Sequence, residues 1–308
     1  MKKYLVYDVG GSAIKYAVMN EDTIFEKDKV KTPKSNMEDF LSAIESIYQK
    51  VKDEIQGVSF SMPGIIDSET GHAVHGGSLL FIRDLNLKEV IEECLQTTIA
   101  IENDAKSAAL GEVWKGKLHG IENGVAMILG TGVGGGIVLN GELIKGHHLG
   151  AGEFSSVKVD GTSINKKNNS FAEKASTVKL VQKAARLVGA DQATFSGEDV
   201  FQAIKNGNQE VAELFSAYCE IIAIQILNLQ TILDPERFVI GGGMSAEPIF
   251  VESIKKAVNE VFEQDPMTEI NGFQAEVVKS ELGNDANLYG ALYQYLMSEE
   301  DRSFSENF

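Results

Sequence analysis

The sequence predicts an α/β protein of two similar lobes facing a cleft, and three observations carry that prediction. Strand-like and helix-like segments alternate along 308 residues, chain enough for two lobes of ordinary size. Residues 4–20 read as strand, glycine-rich turn, strand and polar turn, and 125–140 repeat that order roughly 120 residues later. Glycine clusters follow strand-like runs at Gly10-Gly11, Gly130–Gly136 and Gly241–Gly243.

The elements follow in order. Tyr4 to Asp8 reads as a strand broken by Gly10-Gly11-Ser12, with a second strand over Ile14–Met19. Over 37–52, Phe40, Leu41, Ile44, Ile47 and Val51 fall on one helical stripe. Val58–Ser61 is a short strand ending at Pro63-Gly64, 87–96 is helical, and Thr98–Ile101 is a strand. A helix over about 104–115 starts with Asn103 or Asp104 as its N-cap. Gly124–Leu129 is a strand, the run Gly130–Gly136 breaks it, and Ile137–Leu139 turns at Asn140-Gly141, a hairpin signal. Residues 157–169, with Lys166-Lys167-Asn168-Asn169, read as a polar surface loop. Helices are predicted at about 171–188, 197–206, 209–233, 246–263 and 286–299, and Phe238–Ile240 is a strand. The charged tail from Ser298 is expected to fray.

Composition excludes several partners. Hydrophobic residues at 43% and charged residues at 24% describe a globular chain. With 28 Lys plus Arg against 45 Asp plus Glu, the net charge is −17. Such a surface repels nucleic acid and anionic membranes, so neither is expected as a partner. A nucleotide needs a local device instead: backbone amides, Lys15 or Mg²⁺. Cys94 and Cys219 lie far apart and read as free thiols of a cytoplasmic protein. No apolar h-region with a cleavage site precedes the first strand, so no secretory leader is expected. No apolar run reaches about 18 residues, so no membrane span is expected.

The glycine clusters point to phosphate. Glycine permits close backbone approach, and a turn exposing successive N–H groups cradles phosphate oxygens. Any one cluster alone is equally a hairpin turn; three at strand ends are not explained by turns alone. Asp8 ends a buried strand and is placed to hold Mg²⁺ through water, since that ion keeps waters and bridges phosphates; its plain reading is a turn-initiating aspartate. Lys15 is either a phosphate ligand or an exposed strand lysine. No Gly-Lys-Ser/Thr follows at P-loop spacing, and the dinucleotide fingerprint fails because a strand stands where its helix belongs. Asn103-Asp104 is a helix cap, a base for an attacking hydroxyl, or both.

These residues carry a family resemblance. Asp8-Val9-Gly10-Gly11-Ser12-Ala13-Ile14-Lys15, Ser61-Met62-Pro63-Gly64, Glu102-Asn103-Asp104-Ala105, Gly130–Gly136, Ala151-Gly152-Glu153 and Ile240–Gly243 stand in the order of the ROK family (repressors, open reading frames, kinases), which the chain resembles over nearly its whole length. The resemblance implies an actin-like ATPase (RNase H-like) fold with mixed sheets. It implies a lobe of residues 1–118 joined by the C-terminal helix 286–308, holding sugar and phosphate. A second lobe, 119–285, would bind nucleotide and dimerise, with a hinge near 116–124. ATP phosphates would meet Asp8, Gly10, Gly11, Ser12, Lys15, Gly130, Thr131, Gly132 and Gly134, and Gly241-Gly242 would take the adenosine. Asp104 would be the base, and Asn103, Gly64, Gly77, Glu153 and Glu173 would contact sugar. A homodimer is implied as well.

Two departures matter. Most relatives carry a histidine three residues after the Glu153 position and then a cysteine-rich zinc knuckle; here Ser156 stands there and 157–172 contain no cysteine. A structural zinc site needs four N/S ligands, so none is expected, and His147-His148 read as loop residues. The stretch His75-Gly76-Gly77-Ser78-Leu79-Leu80-Phe81, together with Ala151–Phe154, is similar to the bacterial β-glucoside kinases of the family. That similarity implies phosphorylation of the 6-hydroxyl of the non-reducing glucose in cellobiose-like sugars, with Gly76 and Gly77 leaving room for a second ring. The alternatives are a monosaccharide kinase for glucose or N-acetylmannosamine and a non-catalytic sugar-binding protein. A repressor is disfavoured, because only seven residues precede Asp8 where a helix-turn-helix would stand.

Overall fold

The computed structural model describes residues 2–160 and 169–305. The chain sorts into two compact units: Met1–Gly116 with Lys145–Ala151 and Asp285–Phe308, and Lys117–Ile144 with Gly152–Asn284.

The first unit begins with β1 (Tyr4–Val9), β2 (Ala13–Met19), β3 (Ile24–Lys31), α1 (Met37–Val51) and β4 (Gly57–Met62). It continues with β5 (Ile65–Ile66), β6 (His72–Gly76), β7 (Leu79–Asn86), α2 (Leu87–Leu95), β8 (Ile99–Asn103) and α3 (Asp104–Lys115). Its main sheet runs β3-β2-β1-β4-β8; β1 pairs antiparallel with β2 and parallel with β4. Every residue of β1 is buried, as a strand covered on both faces must be. Alternate side chains serve opposite layers. Leu5, Tyr7 and Val9 pack with Phe40 and Ile44 of α1, whereas Tyr4 and Val6 pack with Leu288 and Leu292 of the C-terminal helix Ala286–Ser305. Asp8 shares the parity of Tyr4 and Val6, so it faces the C-terminal helix.

That helix seats α3. An added Cβ on Gly290 would lie 1.6 Å from the Ser107 carbonyl oxygen, and one on Gly111 would lie 2.4 Å from that of Ala286. The two backbones touch where only glycine fits. The tail predicted to fray from Ser298 is helical to Ser305, because Leu288, Ala291, Leu292 and Tyr295 anchor the helix on the sheet.

The second unit holds β9 (Gly124–Leu129), β10 (Val133–Leu139), β11 (Glu142–Ile144), α4 (Phe171–Ala175), α5 (Thr177–Leu187), α6 (Gly197–Lys205) and α7 (Gln209–Leu233). It ends with β12 (Arg237–Gly241), α8 (Pro248–Gln264), α9 (Pro266–Asn271) and β13 (Glu276–Lys279). Its sheet order β11-β10-β9-β12-β13 copies the first: antiparallel neighbours on one side of β9, parallel on the other. The repeated strand–glycine–strand pattern is thus realised as two mixed sheets of one design. Phe201, Phe215, Tyr218, Phe238 and Phe250 form the centre of this unit's core.

Four expectations are corrected. The glycine run is a turn only over 130–132; β10 begins at Val133, and Gly134, Gly135 and Gly136 pair with Ile128, Met127 and Ala126. A Cβ on Gly135 would lie 2.4 Å from the Phe154 ring, so this glycine serves packing. The helix predicted over 171–188 breaks at Ser176, whose backbone is extended (φ −65°, ψ 122°) and whose side chain caps α5. The helix predicted from 246 starts as a 3-10 turn, Gly243–Ala246, ahead of α8. Finally, Gly76 and Gly77 open no space: a Cβ on Gly76 would meet Ile82 at 2.6 Å, and one on Gly77 would lie 3.1 Å from the Gly64 nitrogen. Of the polar loop read over 157–169, residues 161–168, including Lys166, Lys167 and Asn168, lie outside the described residues; on either side of them Lys158 and Ser170 form an antiparallel bridge.

Candidate active site

The end of β8 brings Asn103, Asp104 and Gly64 together. Asn103 caps α3, its Oδ1 accepting the Lys106 N–H at 3.0 Å. Its amide nitrogen donates to the Gly64 carbonyl at 2.7 Å and to Asp104 Oδ1 at 3.1 Å. The Ala105 N–H donates to the same carboxylate oxygen at 2.8 Å. Cap and candidate base are therefore realised by adjacent residues, and the half-buried Asp104 carboxylate is oriented by two donors. Gly64 adopts φ +105°, and a Cβ there would lie 2.0 Å from the His75 carbonyl oxygen. Gly64 and Gly77 are back-to-back turn residues, and the Pro63–Gly64 turn delivers its carbonyl to Asn103. Glu102, quoted in the Glu102–Ala105 block but given no role there, is fully buried and accepts the Asn103 N–H at 2.7 Å.

Asp8 sits on β1, separated from β8 by β4, which pairs with both. It is buried and accepts three side-chain donors: Lys15 Nζ at 3.1 Å, Asn287 Nδ2 at 3.0 Å and Ser61 Oγ at 3.3 Å. Lys15 is thus an ion-pair partner of Asp8, nearly half exposed. A carboxylate has about four acceptor positions, so three donors leave Asp8 room for one water of a hydrated ion. Among the described residues no group of three or more His, Cys, Asp or Glu could cage a metal; a single carboxylate with waters suits Mg²⁺, which is held by few protein ligands. The Gly10–Ser12 turn is braced by Thr32, which donates through Oγ1 to the Gly10 carbonyl at 2.7 Å and through N–H to that of Ser12 at 3.2 Å.

The second unit builds its turns at the ends of β9 and β12. Gly130 N–H bonds the Gly132 carbonyl at 2.9 Å, with Thr131 at the tip. The Gly130 carbonyl accepts the Thr177 N–H at 2.9 Å, Thr177 Oγ1 at 3.1 Å and Ser176 Oγ at 3.4 Å; this docking is what breaks the helix at 176. Ser155 Oγ accepts the Val133 N–H at 2.9 Å. Gly241 is buried at the end of β12, and Gly242 adopts φ +102° with Leu129 O only 2.0 Å from a virtual Cβ. The Gly130 and Gly242 turns are therefore neighbours, while Gly134 lies within a strand.

Glu153 is half-buried and opens the 3-10 turn Phe154–Ser156. Glu173 lies in the first turn of α4 and is ion-paired with Lys179 of α5. His147 and His148 are exposed, their rings edge to face at 4.6 Å. No signal local to the motifs marks Asn287 as a partner of Asp8, or Ser176 and Thr177 as partners of the Gly130 turn; Ser61 and Glu102 lie in quoted blocks.

Comparison with known proteins places this geometry in context. The sequence profile of the ROK family matches residues 4–298. The chain is 28% identical to a beta-glucoside kinase of Listeria monocytogenes over 96% of this chain and 98% of that one. It is 30% identical to a glucokinase of Halalkalibacterium halodurans, covering 98% of this chain and 97% of the other. A solved ROK family protein from Streptococcus pneumoniae in complex with sucrose matches with a TM-score of 0.83 at 28% identity, over 97% of this chain and 99% of that chain.

Proposed function

The chain belongs to the ROK family and is an ATP-dependent carbohydrate kinase with an actin-like ATPase fold; on that premise we propose that it phosphorylates the 6-hydroxyl of the non-reducing glucose of a β-glucoside such as cellobiose. The observation that carries the chemistry is the Asn103–Asp104 pair at the end of β8, its carboxylate oriented by the Ala105 N–H and the Asn103 amide. Asp104 takes the hydroxyl proton while the sugar oxygen attacks the γ-phosphorus; the new O–P bond replaces the bridging bond of ATP, and ADP leaves. Asn103, with Gly64 behind it, orients the sugar, and Glu153 and Glu173 add contacts. Asp8 would hold a hydrated Mg²⁺, which neutralises phosphate charge when bound. The Gly10–Ser12 and Gly130–Gly132 turns would meet the phosphates, with the N–H groups of Gly10 and Gly130 already bonded within their turns, and Gly241-Gly242 would take the adenosine.

The acceptor class rests on two supports. One relative is named a beta-glucoside kinase, and a structurally similar protein holds the disaccharide sucrose. Beside Gly77, a groove of about 530 Å³ is lined by Val74, Leu79 and Leu80, with Leu80 85% exposed; an apolar face of this kind suits a second ring or an aglycone.

An ADP-coupled assay over cellobiose, gentiobiose, salicin, glucose and N-acetylmannosamine tests the reading. Turnover of the first three above glucose supports it; turnover of monosaccharides alone makes the enzyme a monosaccharide kinase. No ATP turnover with any sugar leaves a sugar-binding protein. Asp104→Asn is expected to bind sugar nearly normally while kcat falls about 10²–10⁴-fold.

A further inference from the structure

Glu102 is a buried acid that the chemistry above does not use. It is 0% exposed and stands two residues before Asp104. Its Oε1 accepts the Asn103 N–H at 2.7 Å. Its Oε2 makes no hydrogen bond and faces Lys145 Nζ at 3.4 Å. A buried carboxylate stripped of its counter-charge is strongly unfavourable, so the ammonium is what keeps this acid in place.

The source of that ammonium is unusual. Lys145–Ala151 belongs to the first unit, although Ile144 before it and Gly152 after it belong to the second. The segment is closed on itself: Ala151 N–H bonds the Lys145 carbonyl at 3.1 Å and Leu149 N–H that of Gly146 at 3.0 Å, with Gly146 and Leu149 at φ 76° and 60°. Lys145 therefore projects from a compact loop. Its ammonium also hydrogen-bonds Ser68 Oγ, and its charge reaches Asp67. Three groups of this unit, Glu102, Ser68 and Asp67, thus share one cation, and only Glu102 is bonded to the backbone that carries the sugar ligand and the base.

Resting on the reading of Asp104 as the base, we infer that Lys145 is a positioning residue for phosphoryl transfer. Its charge compensates Glu102, and Glu102 grips the Asn103 N–H, which fixes the strand end bearing Asn103 and Asp104. Near-attack geometry tolerates little displacement, so loosening this grip acts on kcat more than on nucleotide binding.

The experiment compares K145M, K145R, K145M/E102Q and K145M/D67N in the full chain, measuring kcat and the KM for ATP and sugar. K145M keeps the stem and removes the charge; its kcat is expected to fall tenfold or more with the ATP KM within twofold. K145R, which retains the charge, is expected within threefold of wild type. K145M/E102Q is expected to recover at least fivefold over K145M, because the uncompensated acid is gone, and K145M/D67N to recover nothing; a double-mutant cycle isolates that coupling. A K145M kcat within twofold of wild type overturns the inference, as does equal damage in K145M and K145M/E102Q, or recovery through D67N instead. If K145M does not fold, a folded and active K145M/E102Q supports the inference, and failure of both to fold overturns it. Near-wild-type turnover of D104N sinks the base reading whatever Lys145 does, so the two failures are distinguishable.

Discussion

Asp8 shows how much of a site is decided by single distant residues. Its strand parity points it at the C-terminal helix, and Asn287, 279 positions later, supplies the amide at 3.0 Å. Asn287 also donates to Ser61 Oγ at 3.3 Å, so one amide braces both Asp8 and its other neutral partner. A hydrogen bond to a charged group contributes about 1.5–3 kcal/mol. Asn287→Ala is accordingly expected to lower stability by about that amount, read as a lower denaturant midpoint at unchanged m. Asn287→Asp is expected to be worse, because it sets a second carboxylate against the first. An Asn287→Asp protein as stable as wild type would remove Asn287 from the role of Asp8 donor.

At the scale of elements, the glycine turns separate into two physical kinds. Gly242 and Gly64 are obligatory for the backbone: both have φ above +100° and a carbonyl oxygen 2.0 Å from a virtual Cβ. Gly130 has neither constraint, since nothing lies within 4 Å of its Cβ position. Free space at a strand-end glycine fits the proposed close approach of a phosphate. Gly130→Ala should therefore leave the melting temperature nearly unchanged while raising the ATP KM roughly tenfold or more. An unchanged KM would reduce Gly130 to a turn residue. Gly290→Ala is the opposite case: a methyl 1.6 Å from the Ser107 carbonyl must push α3 off the C-terminal helix. Overpacking of this kind costs about 1–3 kcal/mol or more, to be read by chemical denaturation, with kcat falling because α3 carries Asp104. The same contrast explains what was legible in sequence. The cap at Asn103 was, because its side chain accepts a backbone N–H three residues on, at the start of an apolar helical run. Gly135 was not, because glycine demanded by Phe154 packing looks like glycine demanded by phosphate. Nor was β3, an edge strand with three Lys, one Asp and one Glu in eight residues, whose charged run carries no strand alternation. The bonds of Lys145 and Asn287 depend on tertiary folding and leave no local pattern.

The whole molecule joins an acidic surface to cores that shelter neutral acids. A net charge of −17 disfavours a polyanionic substrate everywhere except where donors are concentrated, as the proposed capture of nucleotide at the glycine turns requires. No helix among the described residues is long and apolar enough to cross a membrane. Inside, Tyr7 in the first unit and Tyr218 and Cys219 in the second are held neutral by burial. Desolvation raises both tyrosines, aided at Tyr7 by Tyr16 and at Tyr218 by Cys219, and pushes the Cys219 thiol from 9.0 to about 12. The sign follows from proton binding. Above pH 9.0 the unfolded chain gives up the thiol proton that the folded chain keeps, so the stability that Cys219 contributes is complete below that pH and is lost as pH climbs to about 12. One such group costs about 1.4 kcal/mol per pH unit within that window, and the tyrosines add to the slope above 10.0. Denaturant midpoints are expected to stay level from about pH 7 to 8.5 and to fall steadily above 9, less steeply in Cys219→Ala. A Cys219→Ala slope equal to that of wild type would show that the thiol is not shielded from water in the folded chain.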